Sequence, residues 1–236
     1  RQSYFPDNFA DSELGSEMGS GVPVPVFRVM CTHQGRLVIA NTPDDPGIVR
    51  RSDPGFPGTF SRNEYVYPDI GGSEVTGTVS HGGVLLVFTE TGVYSLEDFS
   101  IPIPLTQGIG CVAPRSIAAL PNGALIWLSR DGFYAMSGGS ITRISRPIDR
   151  TVRSFVNRSR MRKAVASIDA ISGEYRCSLS PAGVSENTLT LCYDGFAWRR
   201  QRLGLHLADR CSTNDWRQYT LTVGKAKNES KANPRV

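Results

Sequence analysis

An all-β chain built from repeated antiparallel hairpins is predicted by two observations. Runs of alternating apolar and polar residues are punctuated by Asn-Gly, Asp-Gly and Gly-Gly dipeptides. The same phrase is also written more than once: "GGVLLVFTETGVYSL" (82–96) is echoed by "NGALIWLSRDGFYAM" (122–136). Asn-Gly, Asp-Gly and Gly-Gly between β-branched or aromatic runs are the strongest short-range hairpin signals, because glycine supplies the positive φ of a tight turn.

In chain order, residues 1–26 read as an extended arm, acidic and Gly/Ser-rich and closing on "GVPVPV". Proline alternating with valine keeps a backbone extended and removes ladder donors. The β pattern occupies 27–202. "VFRVMCTHQGRLVIAN" predicts two strands joined at Gln34-Gly35, and "VTGTVSHGGVLLVFTETGVYSL" predicts three, turning at His81-Gly82-Gly83 and Thr91-Gly92. The stretch "RSIAALPNGALIWLSRDGFYAMSGGSITRIS" turns at Asn122-Gly123, Asp131-Gly132 and Gly138-Gly139. A fourth unit turns at Ser172-Gly173 and Asp194-Gly195. The first turn glycines, Gly35, Gly83, Gly123 and Gly173, are separated by 48, 40 and 50 residues. A period of about 40–50 with several strands per repeat is the signature of propeller blades, each unable to cover its own faces. The expectation is a β-propeller-like body, as a closed or incomplete ring. Residues 203–236 follow as a strand, "DWRQYTLTVG", and a polar tail.

One segment breaks the pattern. Across "SRPIDRTVRSFVNRSRMRKAVA" (145–166), Ile148, Val152, Phe155 and Val156 recur at helical spacing, with Ser145 placed to cap and Pro147 in the first turn. This predicts a short amphipathic helix near 147–157, its apolar stripe on the sheet and Arg150 and Arg153 outward.

The 236 residues carry a net charge of +4, unevenly spread. Residues 1–140 hold 8 Lys/Arg and 14 Asp/Glu, while 141–236 hold 18 and 8. Such asymmetry fits contact with a polyanion or electrostatic matching between copies of one chain. The cations concentrate in Arg143, Arg146, Arg150, Arg153, Arg158, Arg160, Arg162 and Lys163, against one acid, Asp149. Three readings stand for this cluster: a solvated face, phosphate contact, or pairing with an acidic neighbour. Arginine's fork suits phosphate and carboxylate alike. With Phe155 the only interleaved aromatic, base stacking is not expected, and contact with nucleic acid would be non-specific and salt-sensitive.

Catalytic and metal signatures do not emerge. The five cysteines, Cys31, Cys111, Cys177, Cys192 and Cys211, are widely spaced and read as small core residues. His33, His81 and His206 lack ligand spacing, and no nucleophile elbow, phosphate loop or zinc-protease motif occurs. Asp44-Asp45 and Glu97-Asp98 read as turn acids rather than a glycosidase pair. We expect no catalysis and no cofactor. No apolar run approaches the roughly 20 residues that span a bilayer. The first residues show no signal-peptide core, and the missing initiator Met suggests a fragment or processed chain.

Specific residues then add a resemblance. "RRSDPGFPGTFSRNEYVYPDIGGSEVTGTVSHGGVLLVFTETGVYSL" (50–96), followed by "GIGCVAPRSIAALPNGALIWLSRDGFYAMSGGSITRISRPI" (108–148), resembles virion proteins of tailed bacteriophages, of the β-propeller tail tube and nozzle type. The resemblance spans roughly 30–200 and rests on turns and core strands. It implies a structural tail or neck subunit, forming a ring of identical chains around the DNA exit channel. Its implied partners are copies of itself, other tail, neck or portal proteins, and genomic DNA without sequence preference. Its implied location is the virion, after assembly in the host cytoplasm. Relatives of that group are usually longer. The alternative, from another class, is a carbohydrate- or receptor-binding propeller for host adhesion, with Tyr65, Tyr67, Trp198 and Trp216 as candidate stacking residues.

Overall fold

The computed structural model describes residues 24–69, 71–169 and 171–201 in full, and 22–23, 205–212 and 218–224 by backbone alone. The body is mostly β and propeller-like. It consists of four successive four-stranded antiparallel sheets, followed by a hairpin.

After a short strand β1 (Val22–Pro23), the first sheet contains β2 (Val29–His33), β3 (Arg36–Ala40) and β4 (Val49–Arg51). The brief β5 (Thr59–Phe60) pairs back onto β1, and β6 (Tyr65–Val66) completes the first sheet. The second holds β7 (Val75–His81), β8 (Val84–Thr89), β9 (Gly92–Leu96) and β10 (Ile103–Gln107). The third holds β11 (Ala118–Ala119), β12 (Leu125–Ser129), β13 (Gly132–Ser137) and β14 (Ser140–Arg143). Helix α1 (Asp149–Phe155) leads to the fourth sheet, β15 (Val165–Ile168), β16 (Tyr175–Leu179), β17 (Leu189–Tyr193) and β18 (Trp198–Gln201). Strands β19 (Leu205–Ser212) and β20 (Gln218–Gly224) form the closing hairpin. The expected Trp216, His206 and Cys211 side chains, the arm before Val22 and the tail after Gly224 lie outside the described residues.

Every expected turn dipeptide of the four units joins two strands. Gln34 and Gly35 have φ 47° and 72°, and Gly138 and Gly139 have 54° and 80°. Two consecutive positive φ values make the type I′ geometry whose twist matches paired strands. The second, third and fourth sheets are simple meanders in sequence order and the first skips only β5; the leading strands lie near one another: β2 with β7, β11 with β15, β15 with β19.

Three apolar clusters fill the three sheet-to-sheet interfaces. Val38, Ala40 and Val49 of the first sheet meet Val75, Leu85, Val87 and Leu96 of the second. The opposite face of β8, Leu86 and Phe88, meets Leu125, Trp127, Tyr134 and Met136 of the third. The other face of the third, Ile126, Leu128, Phe133 and Ala135, meets Tyr175, Cys177, Leu179, Leu189 and Leu191 of the fourth. Period-2 alternation thus survives inside apolar runs, because both sides of a sandwiched sheet are buried.

Aromatic and polar anchors fix the packing. Trp127 is fully buried, donates from Nε1 to Gly110 O at 3.1 Å, and packs edge-on against Phe88. Gly110 cannot carry a side chain, because a Cβ there would fall 2.2 Å from Thr89 O. Tyr175 Oη donates to Ser116 O across the last interface at 2.8 Å. Cys111 and Cys177 are buried free thiols, pushed up to about 12 by burial. They remain neutral core atoms at ordinary pH.

The helix is shorter than expected. Residues 146–148 form a 3₁₀ turn, α1 covers only Asp149–Phe155, and Val156 bridges to Pro181. A second 3₁₀ turn covers Arg158–Lys163. Ser145 does not cap: its Oγ instead accepts the Phe133 N–H at 3.0 Å, tying the segment to the third sheet. Val152 and Val156 are buried as expected, with Ile148 packed beside them. Phe155 faces outward beneath the Arg200 guanidinium, 5.8 Å from the ring centroid. The bridge from Val156 to Pro181 ends the helix just after Phe155.

Candidate functional site: the basic segment between the third and fourth sheets

The connection from Arg143 to Lys163 must cross from the last strand of one sheet to the first strand of the next. Its two short helical pieces are pinned by Val152, Val156 and Met161, all buried, and by backbone contacts to the fourth sheet. Asn157 N–H donates to Ser180 O at 2.8 Å, and Asn187 Nδ2 donates to Lys163 O at 2.7 Å. The cations therefore project from a fixed backbone rather than from a loose loop.

The structure sorts the eight cations into two groups. Arg143, Arg153 and Arg162 are paired. Arg143 is mostly buried; its Nη2 lies 2.7 Å from Asp149 Oδ1 and its Nη1 lies 3.4 Å from Asp131 Oδ2. Arg153 shares Asp149 at 3.8 Å. Arg162 reaches the second sheet, with Nη2 at 3.0 Å from Glu74 Oε2 and 3.5 Å from Glu90 Oε1. Arg28 joins Glu74 at 3.8 Å and Arg130 joins Glu90, so one charge network links the first, second and third sheets to the connecting segment. Asn41 Nδ2 donates to Glu74 Oε1 at 2.9 Å; that bond, with Arg162 behind it, holds the Glu74 carboxyl below the usual range. A cleft of about 330 Å³ opens beside the network, lined by Glu90, Val112, Arg130, Arg158, Met161 and Arg162.

Arg146, Arg150, Arg158, Arg160 and Lys163 form the second group. No carboxylate pairs with any of them among the described residues. All are exposed except Arg160, which is half-buried. Sequence reasoning found the cluster but not its division. Glu74 and Glu90 lie 88 and 72 positions before Arg162, and nothing local marks them as its partners.

The remaining candidates fall elsewhere. Asp45 accepts a hydrogen bond from Tyr67 Oη at 2.5 Å and one from Gly47 N–H at 3.2 Å, so it serves its own loop. His33 Nδ1 lies 2.8 Å from Ser80 Oγ between the first two sheets. Trp198 is built into the core, tilted 4.7 Å from Phe133 and donating from Nε1 to Ile144 O at 2.8 Å. Tyr65 and Tyr67 are different: both are exposed, edge-to-face at 5.9 Å, with Arg50 5.6 Å over the Tyr65 ring. Among the described residues no helix is long and apolar enough to cross a membrane.

No protein-family model matches this chain, and neither does any curated protein. Solved structures with a similar run of strands include the N-terminal domain of Nup159, at 14% identity over 85% of this chain and 46% of that one, with a TM-score of 0.40. A chain of a complex of S. cerevisiae Dbp5 with Nup159 and Gle1 matches at 15% identity over 76% and 44%, TM-score 0.41. The extracellular domain of a one-component system from B. thetaiotaomicron matches at 12% identity over 69% and 27%, TM-score 0.41. The chain spans less than half the length of each of these structures.

Proposed function

We propose that this chain is a non-catalytic structural component of a tailed-bacteriophage virion. In this reading it is a tail or neck subunit that packs with copies of itself, and with other tail, neck or portal proteins, in a ring around the DNA exit channel. The observation that carries the reading is the rigid segment from Arg146 to Lys163. It presents five cations with which no carboxylate pairs among the described residues. A surface of that kind suits an anionic partner. The quoted turn and strand motifs of 50–148 supply the phage context. Electron microscopy of the purified chain tests it: a closed symmetric oligomer is expected, and a monomer at every concentration would overturn the ring.

A second reading, adhesion to carbohydrate or a receptor, draws on the exposed Tyr65–Tyr67 pair with Arg50 above it. Aromatic faces of this kind stack on sugar rings. Glycan-array binding that disappears in Tyr65→Ala would favour it over the conduit.

A further inference from the structure

We propose that the five cations of the connecting segment with no carboxylate partner among the described residues form a ridge that binds the phosphate backbone of duplex nucleic acid without reading its sequence. The inference rests on the assembly reading above and names the partner of its basic surface.

Three observations lead to phosphate rather than to a solvated face. The first is the local saturation of acids. Asp149 is engaged by Arg143 and Arg153, and Glu74 and Glu90 are engaged by Arg162 together with Arg28 and Arg130. These three carboxylates are therefore shared among five arginines, and among the described residues no carboxylate pairs with Arg146, Arg150, Arg158, Arg160 or Lys163. The second is spacing. Arg146 and Arg150 are four residues apart where a 3₁₀ turn runs into α1, and Arg160 and Lys163 are three apart on the second 3₁₀ turn. One helical turn rises about 5–6 Å. A duplex offers a phosphate every ~3.4 Å of axis on each strand. Cations one turn apart thus find separate phosphates without moving the backbone. The third is the fixing of that backbone by Val152, Val156 and Met161, which leaves little ordering entropy to lose on contact.

The same geometry argues for a duplex and against single strands. Single-strand sites interleave cations with aromatic platforms. Phe155 is the one aromatic of the segment, and Arg200 already lies over its ring. One aromatic does not make a series of stacking platforms, so contact is electrostatic and indifferent to sequence.

The test is fluorescence anisotropy of a labelled 20-base-pair duplex with the full chain, across a salt series. Five phosphates neutralised give a slope of log K against log salt of roughly −4 to −5. Each of Arg146→Gln, Arg150→Gln, Arg158→Gln, Arg160→Gln and Lys163→Gln should reduce that slope by about one. Arg62→Gln, an exposed cation of the loop between β5 and β6, should leave it unchanged. Four of the substituted side chains are exposed and Arg160 is half-buried, and an unchanged thermal transition verifies that each variant folds. The proposal falls if no duplex binds at low salt, or if the fivefold variant keeps the wild-type slope. It falls equally if a single strand of the same length binds more tightly, or if poly-glutamate outcompetes the duplex, which would make an acidic protein the partner. A symmetric oligomer that persists in the fivefold variant would leave the assembly reading intact while duplex binding stands or falls by itself.

Discussion

The third sheet and the first sheet obey the same topology but are buried differently. In the third, every residue of β12 and all but the last of β13 are buried, because the second sheet covers one face and the fourth covers the other. In the first, β2 alternates between half-buried and exposed up to His33, and Met30 is 62% exposed. Only one of its faces joins an interface cluster. The difference explains the two sequence styles, "LIWLS" against "VMCTH". A sheet with neighbours on both sides has no face to give to polar residues. In the first sheet β2 keeps the ordinary alternation, whereas the inner β3 is buried at Val38, Ile39 and Ala40 in succession.

The sharpest way to break the comparison is Trp127→Ala in the third sheet. Deleting a fully buried indole and its bond to Gly110 O should cost about 3–5 kcal/mol. Equilibrium urea denaturation measures it, and a loss below about 1 kcal/mol would show that the two faces are not both packed. Tyr175→Phe, at the interface of the third and fourth sheets, removes the donor to a buried carbonyl, Ser116 O. A loss of about 1–3 kcal/mol is expected in the same measurement.

The first sheet supplies a pH-dependent counterpart. Burial, aided by the positive Arg51, pushes the His33 imidazole below its ordinary value, so the folded state favours the neutral ring. The unfolded chain then takes up a proton first, and stability is lost as pH falls from about 6.5 through the lower folded value. Thermal melts between pH 7 and 5 should show this decline in the wild type and a smaller one in His33→Gln; identical profiles would remove His33 as the cause. Met30→Ala should have the least effect, within about 0.5 kcal/mol, since its side chain lies mostly in water. A large loss there would mean that the outer face of the first sheet is covered in solution.

How much of this was legible beforehand varied with the range of the interaction. The turns were legible because Gln34-Gly35, Gly82-Gly83 and Gly138-Gly139 carry their conformation in their own residue types. The strands between them were legible from alternation. Helix α1 was legible in kind but not in length. Ser145 looked like a cap, yet the N–H of Phe133 in β13, twelve residues earlier, claimed its hydroxyl. The basic cluster was legible as eight residues. That Arg143 is partly buried, and that Arg162 is held by the second sheet, was not.

The amino-acid order alone determined the hairpins, their repetition and the concentration of positive charge, since each depends on neighbours a few positions away. The tertiary structure decided which faces are sandwiched and which arginines are neutralised. Burial and ion pairing depend on side chains brought together from Glu74, Glu90 and Asp131, and distance along the chain does not encode distance in space.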